Sequence, residues 1–292
     1  MAVDKSMENQ VCLVTGANAG IGRETARGLA ERGATVVMTA RDRSKGEEAV
    51  AEVKASSGNP NVELLMLDLA SLSSVRACAE KFLATHDRLD ILVNNAGLVL
   101  GDRRTTEDGF EATFGINHLG HFELTRLLLD RLKESAPARV VNLASDAHRM
   151  SAGLDFDDLM VERKPYKAMR VYGDSKLANI LFTRELARRL EGTGVITHAV
   201  HPGVVRTGFG KDGDAPGVIG WLFKLIGPFL LSPASGAATS LHVALSDDAK
   251  SSSGDYWARS RRTKPRPPGR DDAAAGRLWE VSEQLVDAVA VP

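Results

Sequence analysis

The sequence of 292 residues contains only two cysteines, and this scarcity excludes two kinds of architecture. Cys12 lies in an apolar run and Cys78 in a helical pattern, so they form neither a disulfide framework nor a metal-ligand cluster. We expect both to be buried thiols in a reducing compartment. The first ten residues also lack the apolar segment of a secretory signal. The sequence therefore predicts a cytoplasmic protein.

Excess charge of either sign is also missing. Lys and Arg total 37 against 38 for Asp and Glu, which gives no electrostatic reason to expect nucleic acid as a partner. A basic, proline-containing run covers residues 259–270, and we interpret it as a solvated connector. The helical pattern after this run has the apolar spacing of a helix docked on the protein body, with Leu278, Val281, Leu285 and Val289.

Strand-like and helix-like segments alternate along almost the whole chain, which favours one large α/β unit of residues 1–292 over two domains. Buried strands are predicted where short apolar runs occur, at residues 11–14, 35–40, 62–67, 89–93, 139–143 and 195–200. Residues 254–257 resemble a seventh strand at an edge. The sequence thus predicts a single-domain, doubly wound Rossmann-type fold, with a mainly parallel seven-stranded sheet and helices on both faces.

A glycine-rich turn joins the first strand to the first helix. Its pattern is Gly-x-x-x-Gly-x-Gly, which differs from the general Gly-x-Gly-x-x-Gly dinucleotide fingerprint. Glycines let the backbone approach an anion closely, and the N-terminus of a helix attracts phosphate. A tight connection is the alternative, but we predict pyrophosphate binding by Gly16, Asn18, Ala19, Gly20, Ile21 and Gly22.

The end of the second strand bears on the choice of cofactor. Ala40 occupies the position, roughly 20 residues past the glycines, where an acidic residue would favour NAD. Arg41 comes next and would accommodate the 2′-phosphate of NADP, so NADP(H) is predicted in preference to NAD(H). Asp42 keeps NAD(H) open as an alternative. Arg41 and Arg43 also have the alternative of solvating the start of the next helix.

Polar and small residues follow the later strands at their carboxyl ends, the edge where open α/β sheets bind ligands. After strand three, Asp68 either caps the next helix or meets the adenine ring together with Leu69. Strand five is followed by Ser145, which is a helix cap or a ligand-edge residue. The same edge is predicted to contain Asn95, Ala96, Gly97, Pro202, Gly203, Val205 and Thr207.

Two helical segments carry the remaining candidate residues. A helix is predicted over residues 115–132, where Asn117 is either a structural hydrogen-bond hub or part of a water relay. His118 and His121 are interpreted as packing residues, because no third metal ligand is apparent. In the second segment, Tyr172 and Lys176 lie four residues apart and therefore share one helix face. A fixed positive charge beside a phenol favours the phenolate and allows proton exchange near neutral pH.

These motifs, in this order, resemble the short-chain dehydrogenase/reductase family over essentially the whole chain. The turn of residues 15–22, Asn94–Gly97, Asn117, Ser145, Tyr172 with Lys176, and Pro202-Gly203 with Thr207 carry the resemblance. Within the family, residues 117–122, 156–159, 175–179 and 201–205 look most like retinol dehydrogenase-like members. Such proteins act on retinoids and other hydrophobic carbonyl compounds.

The resemblance implies an NADP(H)-dependent oxidoreductase that interconverts a lipophilic alcohol and its aldehyde or ketone. Tyr172 would be the general acid and base, and Lys176 would lower the phenol pKa and bind the nicotinamide ribose. Ser145 would hold the substrate oxygen. Asn117 would order a water molecule that refills the proton relay through Lys176. No metal site is expected.

Substrate choice and assembly are less defined by the sequence. Residues 146–170 form a polar insert, interpreted as a solvated loop. Residues 208–233 are predicted to be a substrate lid, whose apolar part 218–231 is too short for a membrane span of ~20 residues. Subunit contact and peripheral membrane contact are the alternatives for this part, and the subunit number stays open. The alternatives for function are a catalytically idle NADP(H)-sensing binding protein and a reductase of polyketide-like or steroid ketones.

Overall fold

A computed structural model describes residues 6–205 and 231–289 of the chain. Eight strands form one sheet with the order β3-β2-β1-β4-β5-β6-β7-β8. The strand order reverses between β1 and β4, which places a switch point at the carboxyl ends of these two strands. The strands are β1 (Val11–Val14), β2 (Thr35–Ala40), β3 (Val62–Met66), β4 (Ile91–Asn94), β5 (Ala138–Leu143), β6 (Val195–His201), β7 (Tyr256–Ala258) and β8 (Arg261–Thr263).

Helices cover both faces of this sheet, as predicted. They are α1 (Gly20–Ala30), α2 (Arg43–Ser57), α3 (Leu72–Thr85), α4 (Ala112–Phe114), α5 (Gly120–Glu134), α6 (Ala168–Arg189), α7 (Pro233–Leu245), α8 (Asp247–Lys250) and α9 (Asp272–Asp287). A π-helical segment, Gly115–Leu119, joins α4 to α5. Short 3-10 helices cover Asp146–Met150 and Pro267–Arg270.

Two hydrophobic layers hold the helices against the sheet. Because side chains alternate along a strand, Leu13 enters the layer beneath α3, α5, α6 and α9, while Cys12 and Val14 enter the layer beneath α1, α2 and α7. Both faces of the parallel strands are therefore buried, which explains their continuous apolar runs. Cys12 and Cys78 are buried free thiols, as expected, and burial raises the pKa of Cys78 to about 12.

The prediction of seven strands with residues 254–257 at the edge was wrong. Strand β7 pairs with β6 on one side and antiparallel with β8 on the other, so β8 forms the edge. Arg259 and Ser260 make the turn between them with φ of 52° and 55°. A two-residue hairpin turn of this kind is usually signalled by Asn-Gly or Asp-Gly, and that signal is absent here. The basic run is thus partly a strand and not simply a connector.

The insert is a solvated loop only in part. Its apolar side chains pack against the main core, and they are Leu154, Phe156, Leu159 and Met160. The guanidinium group of Arg277 in α9 lies 4.5 Å from the centre of the Phe156 ring and 3.5 Å from Asp157. Asp157, one of the clustered carboxylates, is therefore paired with an arginine. In the described ranges, no three His, Cys, Asp or Glu residues converge as a metal site.

The C-terminal helix α9 is docked on the protein body, as predicted. Leu278 is buried as expected, together with Trp279, which the sequence analysis did not select. Trp279 packs with its ring centre 5.0 Å from that of Phe122 and 5.8 Å from that of Phe182. Arg76 donates hydrogen bonds to the carbonyl oxygens of Val286 and Val289. The helix therefore closes the groove between α5 and α6.

Most of the predicted lid, residues 208–233, lies outside the described residues, as does Thr207. Its last residues are described: Leu231 forms an isolated parallel bridge with Val205, and Ser232 caps α7 through a hydrogen bond from the Ser235 N–H. Within residues 6–205 and 231–289, no helix has the length and apolar character required to cross a membrane.

Candidate active site

The glycine-rich turn packs tightly against the loop that follows β4. Gly16 has a φ of 61°, and a Cβ atom there would lie 2.9 Å from the Cβ of Ala96. A Cβ atom on Gly22 would collide with the Gly16 carbonyl oxygen and the Asn95 amide. Ala19, at the N-cap of α1, has no side-chain acceptor for the first-turn N–H groups. The turn therefore has the bare backbone and the helix N-terminus that bind phosphate.

Thr15 joins this turn to the loop after β4. Its buried hydroxyl oxygen accepts hydrogen bonds from the N–H groups of Asn95 and Ala96, at 2.9 and 3.0 Å. The Asn95 amide donates in return to the Thr15 carbonyl oxygen at 2.8 Å. The sequence analysis did not single out Thr15. Its position at the end of a buried strand, directly before the first glycine, was the available signal.

After the end of β2, three charged residues have different environments. Asp42 is the N-cap of α2, and its Oδ1 accepts a hydrogen bond from the Lys45 N–H at 3.0 Å. Arg43 forms an ion pair with Glu47 at 3.6 Å. Arg41 is exposed and has no ion pair within the part of the chain that the structure describes. The acid is thus engaged in capping, while the Arg41 guanidinium remains available to an anion.

Asp68 and Leu69 follow β3 at the carboxyl ends of the parallel strands, where the glycine-rich turn also lies. Asp68 Oδ1 accepts a hydrogen bond from the Ala70 N–H at 2.9 Å. It does not cap α3, because Ser71 is the N-cap residue and the Leu72 N–H donates to Asp108. The capping alternative is therefore wrong, and contact with adenine stays a prediction.

Asn117 lies within the π-helical segment and is fully buried. Its Oδ1 accepts from the Leu98 N–H at 2.8 Å, and its amide nitrogen donates to the Leu98 carbonyl and to Ser175 Oγ at 2.9 and 3.0 Å. Ser175 in turn donates to the Tyr172 carbonyl at 2.8 Å. Asn117 is therefore a hydrogen-bond hub between the loop after β4 and helix α6. Local π-helical geometry is frequent at functional sites.

Tyr172, Ser145 and Lys176 come together at the carboxyl ends of the central strands. The Tyr172 phenol is hydrogen-bonded to Ser145, and the Lys176 Nζ lies 5.6 Å from the centre of the Tyr172 ring. Ser145 caps the 3-10 helix by accepting from the Ala147 N–H at 3.1 Å. Both interpretations of Ser145, cap and ligand-edge residue, are therefore compatible with its position.

Burial controls the ionisation of this pair. It raises the pKa of Tyr172 to about 12, against the opposing effect of the hydrogen bond with Ser145. It also lowers the pKa of Lys176 to about 8. The protein's own groups thus keep the phenol protonated at neutral pH, which suits a proton donor.

Lys176 is buried within reach of several site residues. Its Nζ donates to the Leu143 carbonyl at 3.1 Å, and Asn179 donates to the same oxygen at 2.9 Å. A Cβ atom on Gly97 would lie 3.1 Å from both the Lys176 Nζ and the Asn117 Oδ1. Gly97 therefore leaves the space in which the lysine and the asparagine approach each other.

Pro202, Gly203 and Val205 follow β6 at the same edge. Gly203 has a φ of 87°, and a Cβ atom there would lie 2.6 Å from Leu231. Val205 is buried beside Ile21 and Gly236. The structure thus brings this segment to the glycine-rich turn, as predicted for its first three candidates.

A buried polar network beneath the site was missed by the sequence analysis. Asn94 donates to Asn142 at 2.8 Å, and Asn142 donates to Thr183 and Thr197 at 3.0 and 3.2 Å. Asn94 and Asn142 are register partners in β4 and β5. An asparagine inside the apolar run of residues 139–143 was the available signal, since a buried amide needs partners.

Comparison with known proteins identifies the kind of chain to which this site belongs. The family described as short chain dehydrogenase matches residues 10–155 and 159–215. Mouse retinol dehydrogenase 12 is 50% identical over 277 residues, covering 95% of this chain and 86% of that protein. Human retinol dehydrogenase 13 is 43% identical over 287 residues, covering 96% and 86% respectively.

Solved structures agree with this assignment. An uncharacterized protein from Mycobacterium paratuberculosis superimposes with a TM-score of 0.78 at 36% identity, covering 98% of this chain and 96% of the other. Pseudomonas aeruginosa RhlG, in an active-site complex with NADP, superimposes with a TM-score of 0.69 at 27% identity, covering 88% and 97%. Both similarities extend over nearly the whole fold.

Proposed function

The chain belongs to the short-chain dehydrogenase/reductase family, and we propose that it is an NADP(H)-dependent enzyme that interconverts a lipophilic alcohol with its aldehyde or ketone. The observation that carries the proposal is the hydrogen bond between the Tyr172 phenol and Ser145, with Lys176 one helical turn from the tyrosine. This contact lies at the carboxyl edge of the sheet, beside the loop of Asn95 and Gly97. The proposed proton donor, the group that would bind the substrate oxygen and the loop that would hold the cofactor are therefore adjacent.

NADP(H) is the preferred cofactor. The glycine-rich turn, Asn95–Gly97 and the segment after β6 would hold the dinucleotide, and Arg41 would bind the 2′-phosphate. This preference is supported by the carboxylate of Asp42, which is engaged in capping α2 and does not compete for the ribose. When bound, NADPH would supply the hydride, while the protein would supply position and proton.

The protein's own residues perform the proton transfer. Tyr172 holds its proton at neutral pH, since burial raises its pKa to about 12, and it would donate this proton to the carbonyl oxygen of the substrate. Ser145 would donate a second hydrogen bond to the same oxygen. Lys176 would stabilise the developing phenolate by its charge. Asn117 would order the water through which the phenol is protonated again.

The substrate is a lipophilic carbonyl compound or alcohol. The similarity to retinol dehydrogenases over most of the chain supports this class.

The test is NADPH consumption by the purified protein with retinal and with linear aldehydes of increasing chain length. We expect kcat/KM to rise roughly fourfold per added methylene until the pocket is filled, because each buried methylene contributes about 0.8 kcal/mol. Short polar aldehydes serve as the control and should react poorly. Tight NADPH binding without turnover of any carbonyl would instead identify a catalytically idle binding protein.

A further inference from the structure

His121 connects two parts of the site that the sequence places far apart. It lies in the first turn of α5 and is buried. Its Nε2 is 2.8 Å from the Thr15 hydroxyl oxygen, and its Nδ1 is 3.2 Å from the Asn117 carbonyl oxygen. The ring therefore connects the glycine-rich turn with the main chain of Asn117 in the π-helical segment.

Hydrogen-bond roles in this contact follow from the chemistry of the partners. A carbonyl oxygen only accepts, so Nδ1 must carry the proton that is donated to Asn117. Burial lowers the pKa of His121 to about 4, with a further contribution from the charge of Lys176, so the ring is neutral. A neutral imidazole with a protonated Nδ1 has Nε2 as an acceptor, and Thr15 therefore donates to it.

This assignment satisfies every group around Thr15. The Thr15 hydroxyl oxygen accepts from the N–H groups of Asn95 and Ala96. Its single proton has two acceptors in reach, the Val93 carbonyl at 3.4 Å and His121 Nε2 at 2.8 Å. The shorter contact is the better hydrogen bond. One imidazole thus sets the direction of the hydroxyl that holds the loop after β4.

We propose that His121 is a positioning residue. Through its bonds to Thr15 and to the main-chain carbonyl of Asn117, it fixes the position of the glycine-rich turn relative to Asn117. This inference rests on the proposed function of the site. The donor half of the ring orients Asn117 and so acts on the proton relay. The acceptor half orients Thr15 and so acts on the cofactor cradle formed by Gly16 and Ala96.

Three substitutions distinguish the role of the Nδ1 donor from that of the Nε2 acceptor. In H121Q, the amide oxygen reaches the place of Nε2 and can accept from Thr15, but the donor to Asn117 is lost. In H121N, the shorter amide can donate to Asn117, but the acceptor for Thr15 is lost. H121L removes both. Each variant is compared with wild type by NADPH titration, steady-state turnover and thermal melting.

We expect H121Q to retain the wild-type Kd for NADPH and to lose about tenfold in kcat, as for one lost hydrogen bond. H121N should show the reverse, a Kd raised about tenfold with kcat nearly retained. H121L should show both losses. Even if H121L does not fold, the opposite behaviour of the other two variants decides the question.

The matched control is His198, a buried histidine whose Nε2 lies 2.9 Å from the Ala249 carbonyl oxygen and whose Nδ1 accepts from the Asp255 N–H at 3.3 Å. H198L should melt earlier with Kd and kcat within about twofold of wild type. The proposal is overturned if H121Q and H121N lose kcat and affinity together in proportion to their melting temperatures, or if H121L changes neither quantity. The titration requires no turnover, so a wild-type protein without carbonyl reduction would refute the proposed function and still leave the Kd difference between H121Q and H121N to decide the role of His121.

Discussion

Lys176 Nζ lies 5.6 Å from the centre of the Tyr172 ring, one turn further along helix α6. The lysine is 3% exposed and its ammonium group donates to a main-chain carbonyl beneath the sheet edge. A buried ammonium group at this place costs stability, because burial lowers its pKa to about 8. The site thus combines a lysine whose pKa is lowered but which is still mostly charged at pH 7 with a tyrosine whose pKa is raised.

The K176M variant should be more stable than wild type at neutral pH and inactive. Lysine titrates at 10.5 in the unfolded chain and at about 8 in the folded protein, so the unfolded chain binds more protons between these values. Wild-type stability therefore rises with pH over this window. The cost of about 3 kcal/mol below pH 8 disappears above pH 10.5. The Leu143 carbonyl keeps its bond from Asn179 in the variant.

Urea denaturation of both proteins at a series of pH values measures this difference. The stability advantage of K176M should be largest at pH 7 and shrink towards pH 10.5. A constant or growing advantage would show that Lys176 is not the group responsible.

Arg41 and Arg43 form a matched pair for cofactor specificity. R41A should weaken NADPH binding by roughly tenfold or more, with little effect on NADH, because it removes a charged partner of the 2′-phosphate. R43A should leave both affinities nearly unchanged, since Arg43 is engaged with Glu47. Titration of each variant with both cofactors measures the ratio. Equal losses for NADPH and NADH in R41A would contradict the assignment.

Trp279 anchors the C-terminal helix. W279A should lower the free energy of unfolding by about 3–5 kcal/mol, because it opens a large cavity between α5 and α6. W279F should lose less, since a ring remains against Phe122 and Phe182. Denaturation curves for the two variants provide the measurement. A loss below about 1 kcal/mol in W279A would mean that α9 is only loosely attached.

The sequence predicted the parallel part of the sheet and the ligand edge because both depend on local patterns. Buried strands show as apolar runs, and the glycines before α1 have a direct physical reason at Gly16 and Gly22. The hairpin of β7 and β8 was not predictable in this way. Its turn uses Arg259 and Ser260 with positive φ, residues whose own preference gives no signal of a turn.

Within the site, the sequence indicated which residues are functional but not which residues they hydrogen-bond to. Asn117 was singled out as a buried polar residue, yet its bonds to Leu98 and Ser175 depend on a π-helical turn that no spacing reveals. The sequence analysis expected Lys176 to lower the pKa of Tyr172. Burial, which the sequence does not reveal, raises this pKa instead. Contacts between distant segments, such as Thr15 with His121, require the folded chain.

The most direct measurement compares Y172F with Y166F for NADPH binding and carbonyl reduction. Tyr166 is a suitable control because its hydroxyl bonds to Glu111, away from Ser145. Y172F should bind NADPH with wild-type affinity and lose turnover by at least about a hundredfold, since it removes the proton donor. Y166F should retain turnover within a few-fold. Unchanged turnover in Y172F would contradict the assignment of Tyr172 as the general acid.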